Sequence, residues 1–235
     1  MKPIYFATLF ILFFLLSAFG DWANHELPPF VTCDSDSDCY LIQAGPLRFP
    51  TPALIYLSCT GGKPWDVDSV RTIYNSLGWS IATCGKSRNH RSAGENEMDI
   101  LNLLFKIRAM KAVDEKRIFL FGFSGQGAQA LGTVLRYPEF IRGAITECAH
   151  LGNVTVFDPI GSANQVFFIT TREEDWNRPH NEAFHRALTE NRIADTLVVN
   201  PGEHGIGPAE GVFRACKWID GKTEWNGWFS RNLDR

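Results

Sequence analysis

Arg117-Ile118-Phe119-Leu120-Phe121-Gly122-Phe123-Ser124-Gly125-Gln126-Gly127 is the stretch that decides the fold. Its apolar first half reads as a buried strand. The residues after it include Gly127, Ala128, Ala130 and Gly132, small enough to let a helix running to Tyr137 lie close on a sheet. Between strand and helix stands one serine with glycines around it. A turn that sharp strains its central residue, lifts the hydroxyl clear of the sheet and aims the first helical N–H groups at developing negative charge. Strand, serine elbow and helix is therefore the expected order. The usual spacing is G-x-S-x-G, and Gln126 takes the fifth position here, so Gly125 and Gly127 are expected to supply the room. A dinucleotide-binding turn is a poorer match, because this glycine spacing is reversed and the turn lies mid-chain.

Working outward, Tyr40-Leu41-Ile42, Ala53 to Ser58, Trp79 to Thr83, Gly143 to Glu147, Val166 to Thr170 and Thr196 to Val199 read as further strands. Helices are expected over Trp65 to Leu77, Glu97 to Lys111 and Gly207 to Ile219, the second carrying Ile100, Leu103, Leu104 and Ile107 on one face. Strands alternating with helices of this length predict an α/β fold with a mainly parallel sheet, helices on both faces and ligands beyond the carboxyl ends of the strands.

A serine alcohol needs a base, and the base needs an acid to hold its tautomer. His204 lies in Asn200-Pro201-Gly202-Glu203-His204-Gly205, a glycine-flanked loop just past a strand, and is the favoured base; His150 is second. The acid is expected at the end of the preceding strand, where Glu173, Glu174 and Asp175 stand together, with Asp175 preferred and Glu147 an alternative on the strand before. The order Ser124, Asp175, His204 matches the chain order of one hydrolase architecture. For an oxyanion hole Gly125 offers one N–H, and Thr60 or Gly61 in Cys59-Thr60-Gly61-Gly62 offers the other.

The run Val113-Asp114-Glu115-Lys116-Arg117-Ile118-Phe119-Leu120-Phe121-Gly122-Phe123-Ser124-Gly125 resembles the V-D-x-x-R-I-x-L-x-G-x-S-x-G segment of α/β-hydrolase esterases, above all small esterases akin to feruloyl esterases and polyhydroxybutyrate depolymerases. The late Pro-Gly-x-His stretch fits the same pattern. The resemblance implies the α/β-hydrolase fold, with Ser124 as nucleophile, Asp175 as acid and His204 as base. It also implies hydrolysis of carboxylic esters without metal or organic cofactor. Gln126 departs from the pattern, as does Cys-Thr-Gly-Gly where many relatives carry a histidine-glycine stretch. A serine peptidase of the same superfamily and a catalytically silent binding protein are the rival readings. The stretch between Glu147 and Val166 is too short for a lid domain, so an open cleft and a bulky or polymeric ester are expected.

Composition bounds these readings. The chain has 235 residues, 45% hydrophobic and 21% charged, with a net charge of −3, which describes a folded protein without the basic surface that nucleic acid requires. Residues 1–20 read as a secretory signal peptide: Lys2, an apolar run from Ile4 to Leu16, then Ala18-Phe19-Gly20. Residues 21–235 are expected to form a single α/β-hydrolase domain, secreted or periplasmic, with no stable membrane insertion. Its six cysteines suit disulfides in an exported chain. Cys33–Cys39 brackets a short polar loop, Cys59–Cys84 joins the ends of neighbouring strands, and Cys148–Cys216 remains. The loop Asp34-Ser35-Asp36-Ser37-Asp38 alternates acids like a calcium loop but lacks that motif's glycine and closing glutamate, so a solvated hairpin tip is expected. The basic loop from Lys86 to Arg91 borders the expected site. Asn153-Val154-Thr155 is a glycosylation sequon if the source is eukaryotic.

Overall fold

The computed structural model describes residues 30–43, 50–152 and 157–223. The leader over 1–20, the lead-in around Pro28-Pro29 and the sequon at 153–155 lie outside the described residues. The strands are β1 (Thr32–Cys33), β2 (Cys39–Leu41), β3 (Thr51–Leu57), β4 (Ser80–Thr83), β5 (Val113–Phe123), β6 (Gly143–Glu147), β7 (Val166–Glu174) and β8 (Ala194–Glu203). The helices are α1 (Pro64–Ser69), α2 (Arg71–Leu77), α3 (Ala93–Arg108), α4 (Ser124–Arg136), α5 (Arg178–Glu190) and α6 (Ala209–Lys222). One eight-stranded sheet runs β1-β2-β4-β3-β5-β6-β7-β8. The β1–β2 and β2–β4 pairings are antiparallel, and all pairings from β4 through β8 are parallel.

Alternation along β5 divides the core. Ile118 and Leu120 face α3, α4 and α5, meeting Leu103, Leu104, Val134 and Phe184. Phe119 and Phe121 face α1, α2 and α6, meeting Val67, Ile73, Val212 and Ile219. Both sheet faces are covered, as the apolar strands require.

Three elements differ from expectation. The helix over Trp65 to Leu77 breaks at Val70, whose backbone (φ −106°, ψ 17°) leaves the helical range while its side chain stays buried. The next helix starts at Ala93 instead of Glu97, because Ser92 and Glu95 form a capping box: the Glu95 amide donates to Ser92 Oγ at 3.2 Å and the Ser92 amide to Glu95 Oε2 at 3.3 Å. Helix α5 was not anticipated. Its buried residues Asn181, Phe184 and Leu188 follow helical spacing, and Pro179 sits in its first turn, where a missing N–H does no harm.

Cys33 and Cys39 form a disulfide across the β1–β2 hairpin. The other two expected bridges are absent, and Cys59, Cys84, Cys148 and Cys216 are free. Tyr56 pairs with Thr83, so Cys84 lies beside Leu57 and enters the core on the α3–α4 face. Cys59 stands past the strand end, its thiol donating to the Phe123 carbonyl at 3.3 Å. Cys148 turns to the Gly205 carbonyl at 3.6 Å, while Cys216 is buried among the residues of the opposite core.

The hairpin tip is less solvated than its composition suggests. Lys106 Nζ of α3 reaches Asp34 at 2.8 Å, Asp36 at 2.7 Å and Asp38 at 3.0 Å. The lysine ammonium thus stands among the alternating acids that resemble a calcium loop. Hydrogen bonds from Lys106 and then Lys86 hold the Asp36 carboxyl down at about 2, against an ordinary value of 3.8. Because the folded value is the lower one, this contribution to stability is present above the ordinary value and is lost as pH falls through the folded one. Lys106→Met is expected to lower the Tm most at neutral pH, with the gap to wild type closing between about pH 4 and about pH 2, measured by thermal melts across that range.

Candidate active site

Strand β5 ends at Phe123 and α4 begins at Ser124 with no residue between them, and Ser124 takes a left-handed φ of 53°. That conformation is strained for a residue with a side chain and persists only where packing enforces it. The neighbours show what enforces it. A Cβ on Gly122 would lie 2.3 Å from the Gln126 carbonyl oxygen, and one on Gly127 would lie 2.8 Å from Ala149 Cβ. Strand and helix therefore approach at two glycines, with Gly127 taking the contact against β6's outgoing loop. Gln126 does not obstruct the turn. Its side chain is buried and accepts a hydrogen bond from Ser87 Oγ at 2.8 Å, tying the elbow to the loop after β4.

Parallel strands β7 and β8 end beside the elbow and carry two of the expected residues to it. His204 Nε2 lies 2.9 Å from Ser124 Oγ, and His204 Nδ1 lies 2.7 Å from Asp175 Oδ1. The Asp175 side chain is fully buried and that of His204 is 8% exposed. Asp175 also accepts from Thr171 Oγ1 at 2.7 Å and from the Asn177 amide at 3.0 Å. Burial is the strongest single influence on the Asp175 carboxyl and pushes it up. The hydrogen bonds from His204, Asn177, Thr171 and Cys148 together outweigh it and hold the group below its ordinary value, as an anion. Trp176 stacks on the imidazole with centroids 3.9 Å apart and planes at 20°, and Phe123 sits on the ring at 5.1 Å. Two aromatic rings thus fix the imidazole plane.

The alternatives fall elsewhere. Glu173 and Glu174 are exposed at the end of β7. Glu147 is buried, and burial raises its carboxyl despite the Gly207 amide and Arg172 beside it. Arg172 joins Glu147 at 3.3 Å and donates from Nε to the Gly205 carbonyl at 2.9 Å. Glu147 and Arg172 therefore anchor the loop that carries His204 and do not touch its ring. This clamp was missed in the sequence. Its trace is a pair of opposite charges at adjacent strand ends, visible only once Glu147 is registered beside Thr170. His150 hydrogen-bonds neither Ser124 nor Asp175, and burial lowers its pKa.

Gly125 lies in the first turn of α4, where backbone N–H groups have no helical acceptor. Of the two second donors expected, the Gly61 amide is committed to the Ser58 carbonyl at 3.2 Å. This removes Gly61 from the donor set and leaves Thr60, whose amide has no hydrogen-bond partner among the described residues. Cys59 and Asn89 link the two loops here, the Asn89 amide donating to the Cys59 carbonyl at 3.0 Å. The basic loop turns its charge inward, with Lys86 on Asp36 at 2.7 Å and Arg91 on Asp99 at 2.6 Å. Among the described residues two groups have metal-like spacing, Cys148–Asp175–His204 and the three hairpin aspartates. Hydrogen bonds occupy the first and Lys106 the second.

The Ser87–Gln126 contact has a separable energy. Gln126→Leu leaves the buried Ser87 hydroxyl without its acceptor and is expected to cost about 1–3 kcal/mol in chemical denaturation. Adding Ser87→Ala is expected to recover part of that loss, whereas strict additivity of the two changes would contradict the pairing.

No protein-family model matches the chain, and no curated protein sequence does. Solved structures do. S-formylglutathione hydrolase (FrmB) from Staphylococcus aureus superposes with a TM-score of 0.62 at 11% identity, over 80% of this chain and 96% of that one. An acetyl ester-xyloside bifunctional hydrolase from Caldicellulosiruptor lactoaceticus gives 0.61 at 16% identity, over 86% of this chain and 94% of that one. A Bacteroides ovatus chain described as a dipeptidyl aminopeptidase IV gives 0.59 at 15% identity over 80% of this chain, which spans only 34% of that chain's length. With the parallel sheet and the strand–serine–helix elbow, these likenesses establish that the chain has the α/β-hydrolase fold.

Proposed function

We propose that the protein is a secreted serine hydrolase of carboxylic esters. The observation that carries this reading is the unbroken hydrogen-bond chain from Ser124 Oγ through both nitrogens of His204 to Asp175, at 2.9 Å and 2.7 Å. In this reading Ser124 Oγ attacks the ester carbonyl carbon and its proton passes to His204 Nε2. Asp175 accepts the Nδ1 proton's hydrogen bond, fixing the tautomer and stabilising the imidazolium. Charge that develops on the carbonyl oxygen is met by the amides of Gly125 and Thr60. His204 then returns the proton to the departing alcohol, leaving an acyl group on Ser124. Water, deprotonated by His204, attacks that acyl carbon, and the carboxylic acid leaves with Ser124 restored. The chemistry is complete without a cofactor.

The esterase and hydrolase names of the structural neighbours support the ester reading. Gln126 had favoured a silent binding protein, but its structural use on Ser87 removes that support. Export is supported by the apolar leader and the Cys33–Cys39 disulfide. No helix among the described residues is long and apolar enough to cross a membrane.

The test is steady-state hydrolysis of 4-nitrophenyl acetate. Ser124→Ala and His204→Ala are each expected to abolish turnover to within background, a loss of about 10⁶ in kcat. Asp175→Asn, which leaves the geometry but misorients the imidazole proton, is expected to lose about 10⁴. Undiminished turnover in Ser124→Ala overturns the reading.

A further inference from the structure

Beside the elbow an open groove of about 460 Å³ runs along α4 from Gly125 to Arg136, with the start of α3 as one wall and the 150–152 loop as the other. Eleven residues of helix at about 1.5 Å each make it about 16 Å long. It starts at the residue next to Ser124, so a substrate whose ester lies on the serine extends directly into it. No side chain larger than alanine lines it except Glu97, Gln129, Arg136 and His150. A hydrocarbon chain finds no apolar wall there.

The polar groups are incompletely satisfied. Gln129 is 8% exposed; its Nε2 donates to Thr133 at 3.4 Å, while its carboxamide oxygen accepts no hydrogen bond among the described residues. The half-buried His150 ring likewise makes no hydrogen bond among the described residues. A buried acceptor left open in this way is costly unless a ligand or water fills it. At the far end Arg136 Nε meets Glu97 at 2.6 Å. The occupant must therefore be long, bulky enough to cover a floor of small residues, and able both to donate and to accept hydrogen bonds. An extended peptide docks by strand pairing or by capture of its termini, and the two helices that bound this groove offer no strand edge.

We propose that the groove between α3 and α4 is the substrate subsite and that it seats the hydroxyl-rich part of a carbohydrate ester, with Gln129 and His150 as its hydrogen-bonding floor. This rests on the ester hydrolase reading above. Gly94 supplies a clean probe: a Cβ there has nothing within 4 Å, so Gly94→Trp projects into the groove without displacing its walls.

The kinetic experiment compares kcat/KM for acetylated xylotriose, 4-nitrophenyl decanoate and 4-nitrophenyl acetate in wild type, Gly94→Trp and Gln129→Leu. A parallel calorimetric titration follows unmodified xylotriose binding to Ser124→Ala protein, with and without Gly94→Trp. Wild type is expected to favour acetylated xylotriose over the decanoate. Both groove variants are expected to lose about tenfold or more on the sugar ester relative to 4-nitrophenyl acetate, chiefly through KM. Xylotriose binding is expected in Ser124→Ala and its loss in the double variant. A preference for the decanoate, equal losses on all esters, or absent xylotriose binding overturns the subsite. Failure of wild type on 4-nitrophenyl acetate instead overturns the hydrolase reading, and the binding arm still decides the groove.

Discussion

The close approach of β5 and α4 at Gly122 is the constraint on which the rest of the site depends. With no side chain at 122, the Gln126 carbonyl packs where a Cβ would lie 2.3 Å away. The reversal from strand to helix is then completed within one residue, and that residue is held at φ 53°. The strain is local, but the force that sustains it is not. The strand is buried on both faces by aromatic and aliphatic packing, and the helix is pinned sideways by Gln126 on Ser87 and underneath by Gly127 on Ala149. A serine hydroxyl on such a support has little freedom to move away from its partner, which is what preorganised chemistry requires.

The partner residues are delivered by the sheet's parallel geometry. Strands β7 and β8 run the same way as β5, so all three release their chains at one edge. Asp175 follows β7 directly and His204 follows β8 directly. Two devices convert proximity into alignment. Asp175 is locked by Thr171 and the Asn177 amide, and the His204 loop is drawn down by Arg172 and Glu147. Glu147 is an expensive group to bury, as its raised carboxyl shows. Its use is to hold Arg172 against the backbone of the loop. The indole of Trp176 then covers one face of the imidazole while itself remaining 69% exposed at the rim.

Much of this was legible in the sequence for physical reasons. Buried strands advertise themselves by apolar runs, and Gly122, Ser124 and Gly127 mark the elbow because no other residues fit a turn so tight. Asp175 and His204 could be chosen because the ends of parallel strands share one edge. What stayed hidden depends on register or on long-range contact. The Arg172–Glu147 clamp needs the β6–β7 alignment. Lys106 is 68 residues from Asp38, and nothing local links them. Helix α5 begins with Pro179 and carries few apolar residues, so its short buried stripe was overlooked. The cysteine pairings beyond Cys33–Cys39 failed because an even count says nothing about which side of the sheet each thiol faces.

The central claim is that Ser124 is an activated nucleophile, and the most direct test is covalent capture. Purified protein treated with a fluorophosphonate and digested should yield one modified peptide, bearing the phosphonyl group on Ser124. The modification should disappear in His204→Ala protein that remains folded by circular dichroism. Labelling at another residue, or no labelling of a folded wild type, would contradict the account.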